Sequence, residues 1–251
     1  MVGCSLKGDC TMQVVRIFVH LLAASMFSYS VFYDWYFVVV PREVSPVSGG
    51  YGGKFKYLTF WDAVIQSLFF ILCLFNDFFG SNENDPKTKP LLRRIKDYVQ
   101  VTIEFPVAMF VGITFWALYA VDRELVFPKV IDQFFPSWLN HVMHTHIMGF
   151  AALEMVIACR RYPSRSKGLT GLLGFMLIYL TWVFVIFNKS GQWVYPVLAV
   201  LNWGQKGLFF AVLLLLVTGL YLLGEKLNNY VWGKHLKLDQ SPRKSSIKKV
   251  K

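Results

Sequence analysis

Thr59, in YLTFWDAVIQ, and His144, in WLNHVMHTH, each stand in the first turns of a long apolar stretch. Polar side chains are costly in such stretches and normally face a bundle interior or a cavity. A hydroxyl that meets an imidazole is the minimum equipment for a nucleophile and its general base. A threonine hydroxyl attacks poorly until a neighbouring base removes its proton, so the chemistry these two side chains suggest is base-assisted nucleophilic attack.

Other polar groups accompany the pair. Thr59, Asp62, Gln66, Cys73 and Asp77 fall at helical spacing on one face of the first stretch. Asn140, His141 and His144 cluster on one face of the second. Asn140 is placed to orient the imidazole or to stabilise an oxyanion, and Asp62 is placed to orient the imidazole. A metal centre is a different use of the same segment, since His141 and His144 are close enough to share an ion. It needs further ligands such as Asp62 or Glu154, and His146 points away from that face. With His20 and His235 the only other histidines, multi-box di-iron chemistry is excluded. A third use is packing alone, because Thr, Asn, Gln and His often hydrogen-bond across membrane helices.

The elements that carry these residues belong to a membrane protein. Of 251 residues, 55% are hydrophobic and only 16% charged, a combination rare in soluble domains. Six stretches, about 12–33, 58–79, 98–121, 137–159, 168–187 and 206–224, approach the roughly 20 residues that cross a bilayer. They lack the alternation of barrel strands, so the expected fold is an all-α polytopic membrane protein with about six transmembrane helices. Pro106 is expected to kink the third.

Basic residues orient the bundle. Loops 80–97 and 160–167 and the C-terminal tail are rich in Lys and Arg, whereas the alternate loops are poor. The positive-inside rule then places the N and C termini in the cytosol. The helices bearing Thr59 and His144 both run inward, and both side chains lie within roughly 10 Å of the outer boundary. Much of the net charge of +11 is topology. No basic patch interleaved with aromatics marks a nucleic-acid partner. Cys4, Cys10, Cys73 and Cys159 are all expected at the reducing cytosolic side, where a disulfide is not favoured.

Residues 1–235 read as a single transmembrane helical domain, with 236–251 a basic, disordered cytosolic tail. The tail ends Lys248-Lys249-Val250-Lys251. Lysines third and fourth from the end resemble the dilysine retrieval signal of the endoplasmic reticulum. The other reading is a basic tail attracted to anionic lipid, with the plasma membrane as the alternative location.

Several stretches resemble the androgen-induced gene family, which includes the androgen-dependent regulator of tissue factor pathway inhibitor. They are YGGKFKYLTF (51–60), FPV (105–107), YAVDRELVFPK (119–129), WLNHVMHT (138–145), YPSRSKGLT (162–170), WVYP (193–196) and YLLGEKLNNYVW (221–232). The resemblance implies a multi-pass membrane hydrolase that cleaves fatty acid esters of hydroxy fatty acids (FAHFA). It places the family's threonine nucleophile on Thr59 and its histidine on His144. It implies no metal and no organic cofactor, and a lipid ester substrate that enters from the bilayer. The competing reading is a non-catalytic multi-pass membrane regulatory protein.

Overall fold

The computed structural model describes residues 7–45, 50–82 and 90–238, and the side chains of 11–45, 50–82 and 90–234. Of the tail expected to be disordered over 236–251, residues 236–238 continue the last helix, and the rest, with the Lys248–Lys249 signal and Cys4, lies outside the described residues. Every regular element described is helical: α1 (Lys7–Phe37), α2 (Leu58–Phe79), α3 (Leu91–Val99), α4 (Phe105–Asp122), α5 (Ser137–His141), α6 (Ile147–Ile157), α7 (Arg165–Ser190), α8 (Pro196–Val200) and α9 (Trp203–Leu238). A π turn, Gln100–Glu104, joins α3 to α4, and a second, Val142–His146, joins α5 to α6.

Among the described residues, five helical runs are long and apolar enough to cross a bilayer: Thr11–Phe37, Leu58–Phe79, Leu91–Leu125, Arg165–Ser190 and Trp203–Lys234. The chain is an all-α polytopic membrane protein. The remaining expected segment is helical from Ser137 to Ile157 but is not among the five. Asn140, His141, His144, His146 and Glu154 dilute its apolar content, so the residues of chemical interest are what lower its hydropathy.

The Leu91–Leu125 run is the central member, 61% buried over its most apolar window, against 28% for α1 and 22% for α9. The outer helices turn large apolar side chains such as Phe18, Leu22, Ile178 and Leu215 outwards. In hydrocarbon that outward face carries no hydrophobic penalty, so cohesion comes from packing and interhelical hydrogen bonds. α1 packs along α2 through the stacked Phe27 and Phe70 rings, 5.8 Å apart, and a Ser28–Ser67 hydroxyl contact of 2.7 Å. Pro106 occupies the start of α4 immediately after the first π turn. The widened turn absorbs the proline's missing N–H, and irregularity of this kind is a recognised cause of helix bending.

Local chemistry sets where the helices begin and end. α7 stops at Gly191, whose φ of 70° suits glycine and whose N–H bonds Phe187 O at 2.8 Å. α2 begins after the turn Gly53–Lys56, entered through Gly52 at φ 86°. Two indoles hold that turn: Trp61 and Trp182 both donate through Nε1 to Phe55 O, at 2.6 and 2.9 Å. The start of α2 is therefore tied to α7 before its own helical bonds begin.

The far end of α2 lies in a buried ion network. His20 of α1 meets Asp77 through Nδ1 at 2.5 Å and Glu154 of α6 through Nε2 at 2.8 Å. Glu154 is paired with Arg160, which also approaches Asp97 of α3 at 3.5 Å. Arg93 closes on Asp97 at 2.9 Å, and Asn228 of α9 donates to Arg160 O at 2.9 Å. Four helices, α1, α2, α3 and α6, are joined there by ionisable groups, and α9 joins them through the neutral amide of Asn228. Breaking such a buried pair leaves an uncompensated charge, which is costlier than never having built it.

Candidate active site

Thr59, second residue of α2, and His144, at the middle of the π turn Val142–His146, come together across the bundle. Thr59 Oγ1 lies 3.2 Å from His144 Nε2. The other ring nitrogen, Nδ1, lies 2.9 Å from the backbone oxygen of Asn140. A carbonyl oxygen only accepts, so Nδ1 carries the proton and Nε2 is the bare nitrogen. Thr59 O–H therefore donates to Nε2, the direction that base-assisted attack by the hydroxyl needs.

The imidazole has little freedom. Phe115 of α4 stacks on it with ring centroids 3.6 Å apart and planes 15° from parallel. Gly112, one turn earlier on α4, lets the helix backbones approach closely. A Cβ there would sit 2.6 Å from His144 O and 2.5 Å from Met148 Sδ. The π turn itself re-aims the side chain relative to a regular helix, and such turns are frequent at functional sites. His144 is buried, whereas its neighbours His141, Thr145 and His146 are exposed.

Thr59 opens onto an apolar cavity of about 830 Å³, counting the space at its mouth. Phe110, Leu118, Met176, Leu198, Phe209 and Leu214 contribute to its walls, with Thr59, Thr114, Tyr179 and Tyr195 as the polar groups. His144 is not part of that wall. It stands behind Thr59 and Phe115, so a ligand in the cavity meets the hydroxyl first.

The start of α2 is fixed by two phenols. Leu58 N–H, an orphan donor at a helix N-terminus, reaches Tyr179 Oη at 2.9 Å and Tyr195 Oη at 3.0 Å. The two hydroxyls are 2.8 Å apart, and Tyr179 donates to Lys56 O at 2.9 Å. Lys56 itself is buried, and burial followed by the charge of Arg42 pushes its ammonium down to about 8.

The other expected site residues are placed differently. Asn140 reaches the imidazole through its backbone oxygen, while its side-chain Oδ1 is buried without a partner. Asp62 is fully buried and accepts from Gln66 Nε2 at 3.3 Å instead of meeting His144. His141 turns to Thr145 Oγ1, 3.3 Å away, and stacks on Trp116 at 5.5 Å. The two histidines are therefore directed to different partners. Among the described residues one group could hold a metal ion: His20, Cys73 and Glu154, with one ligand atom each within 4.8 Å of the others. Both nitrogens of His20 already meet carboxylates and Glu154 is engaged by Arg160, so these side chains satisfy one another.

Residues 15–229 match the family model described as FAR-17a/AIG1-like protein. The chain belongs to this family. It is 40% identical to the human androgen-induced gene 1 protein over 204 residues, covering 78% of this chain and 85% of that relative. It is 35% identical to the human androgen-dependent TFPI-regulating protein over 191 residues, covering 76% and 83%. A membrane protein of Schizosaccharomyces pombe is 25% identical over 183 residues, covering 72% and 77%. No solved structure gives a significant match to the chain.

Within this FAR-17a/AIG1-like chain, the helix contributing Thr59 and the π turn contributing His144 both lie inside the matched span. The sequence singled out both residues. It gave no signal for the stacking Phe115, the close approach at Gly112 or the phenol pair. Tyr195 lies in the WVYP stretch, but neither its type nor its spacing announces a contact with a residue well over a hundred positions away.

Proposed function

We propose that this protein is a membrane-embedded threonine hydrolase that cleaves the ester bond of fatty acid esters of hydroxy fatty acids. The observation that carries the reading is the 3.2 Å contact between Thr59 Oγ1 and His144 Nε2 at the wall of an apolar cavity. Thr59 attacks the ester carbonyl while His144 Nε2 takes its proton. Collapse of the tetrahedral intermediate expels the hydroxy fatty acid, which receives that proton from His144, and leaves an acyl-threonine. Water then adds with His144 again as base, and collapse returns the proton to Thr59 and releases the second fatty acid. Asn140 O holds Nδ1–H throughout and keeps Nε2 available. The reaction calls on no metal and no organic cofactor.

An apolar cavity suits two long acyl chains, and the substrate enters from the surrounding bilayer. The termini face the cytosol, and the Lys248–Lys249 signal retains the protein in the endoplasmic reticulum. In the test, purified protein hydrolyses such an ester, and Thr59→Ala and His144→Ala each abolish turnover while still inserting and folding. Residues that act as one unit are grossly non-additive, so the double variant is scarcely worse than either single. Thr59→Ser keeps measurable turnover. Full hydrolysis by Thr59→Ala free of contaminating hydrolases would overturn the reading.

The alternative is a non-catalytic membrane regulator, favoured by the name of the TFPI-regulating relatives. It predicts no hydrolysis by the purified protein and unchanged regulation by Thr59→Ala.

A further inference from the structure

An acyl transfer needs a third partner besides nucleophile and base: a donor aimed at the oxygen on which charge develops. Removing one such donor typically costs about 10²–10³ in kcat. Asn140 is not among the residues that line the cavity beside Thr59, and its backbone oxygen serves His144 Nδ1 instead. Among the polar groups in the cavity wall beside Thr59 are the hydroxyls of Tyr179, Tyr195 and Thr114.

The hydrogen bonds distinguish the two phenols. Tyr179 has one proton, and it goes to Lys56 O at 2.9 Å. The proton in the 2.8 Å contact between the phenols therefore belongs to Tyr195, which donates to Tyr179 Oη. Both phenol oxygens also accept from Leu58 N–H, the residue directly before Thr59. The Tyr195 oxygen is thus pinned one residue from the nucleophile, and its O–H is the member of the pair able to rotate to a new acceptor. When it does, Tyr179 Oη still accepts from Leu58 N–H, so no polar atom is left unpaired. Both lie at the positive end of the 22-residue helix α2, which adds to the attraction for an anion.

We propose that Tyr195 is the oxyanion donor of this site, with Tyr179 as the positioning residue that holds it. The inference rests on the Thr59–His144 reading. As Thr59 Oγ1 bonds to the carbonyl carbon, the C=O π pair moves onto the carbonyl oxygen, and Tyr195 O–H turns from Tyr179 to that oxygen. No proton is transferred in this step, and on collapse the pair returns and the hydroxyl swings back. Burial pushes the Tyr195 hydroxyl above the ordinary phenol range, with Tyr179 and Leu58 acting in the opposite direction. It therefore keeps its proton at neutral pH and stays a donor.

The experiment compares Tyr195→Phe, Tyr179→Phe and Thr59→Ala in the full chain, each checked for a monodisperse, cooperatively unfolding protein in detergent. Tyr195→Phe is expected to lower kcat about 10²-fold or more with KM within about twofold. Tyr179→Phe is expected to lose less, because the donor remains and only its anchor is gone. Retention of kcat within about twofold by Tyr195→Phe, or a loss confined to KM, overturns the proposal. Should Tyr195→Phe fail to fold, 3,5-difluorotyrosine incorporated at 195 keeps the shape and makes the hydroxyl more acidic. The alkaline limb of the kcat–pH profile then moves to lower pH, and an unmoved limb overturns the proposal. Thr59→Ala separates the two claims. If it is inactive while Tyr195→Phe is fully active, only the oxyanion assignment fails; if it is active, the Thr59 nucleophile reading on which the inference rests fails.

Discussion

The ring of Phe115 lies flat on the imidazole of His144, with centroids 3.6 Å apart, while Asn140 O holds the ring edge at Nδ1. The imidazole is thus fixed both in plane and in rotation, leaving Nε2 directed at Thr59. Phe115→Leu keeps an apolar side chain but removes the flat surface. Misplacement of a catalytic group by about 1 Å can cost about a hundredfold. The expected result is a loss of about ten- to a hundredfold in kcat with little change in KM, read from steady-state ester hydrolysis. Unchanged kcat would show that Asn140 O orients the ring unaided.

Gly112 provides a second lever on the same ring. In Gly112→Ala the new Cβ meets His144 O at 2.6 Å, and a backbone oxygen inside a helical run has little room to give way. Overpacking of this kind costs about 1–3 kcal/mol. The π turn is the element that must shift, so activity is expected to fall further than stability. Thermal unfolding and turnover measured on the same preparation separate the two; equal, small losses would mean the turn accommodates the methyl.

Arg160→Met probes the opposite end of the bundle. It removes the guanidinium shared by Glu154 and Asp97, leaving Glu154 to His20 alone and Asp97 to Arg93 alone. Breaking a buried pair typically costs about 3–5 kcal/mol. Thr59 and Asp77 stand about 27 Å apart along α2 at 1.5 Å per residue, so turnover per folded molecule should survive. A variant of normal stability and no activity would instead assign this network to the chemistry.

Lys56 gives a pH signature. Its ammonium is lowered to about 8 in the folded protein, from an ordinary 10.5, chiefly by burial. Below pH 8 both folded and unfolded chains hold the proton, and the folded state bears the cost of a buried charge. Between about 8 and 10.5 the unfolded chain binds more protons, so stability contributed by this residue rises with pH. Wild type should therefore gain thermal stability relative to Lys56→Met between pH 7 and pH 10. Parallel profiles for the two proteins would contradict this.

The helices were legible in the sequence because apolar run length and polar punctuation are local. α2 runs from Leu58 to Phe79, as expected from the run itself. Thr59 and His144 stood out because a polar residue in an apolar segment is also a local signal. The two π turns were not legible, since one extra residue in a turn hardly alters the pattern of side chains read along the chain. Asp62 was expected near the imidazole by its spacing from Thr59, yet on this helix it faces Gln66 and the bundle interior. The His20–Glu154 contact joins residues 134 positions apart, and such a partner is set by packing. The same holds for Tyr195 and Leu58, 137 positions apart.

The most direct measurement of the central claim is the site of covalent modification by a fluorophosphonate. The purified wild-type protein is labelled, digested, and the adduct located by mass spectrometry. The account predicts a single adduct on Thr59 Oγ, absent from Thr59→Ala and strongly slowed in His144→Ala, where the base that activates the hydroxyl is gone. An ester-hydrolysing preparation whose adduct maps to another residue, with Thr59→Ala labelled as fast as wild type, would contradict it.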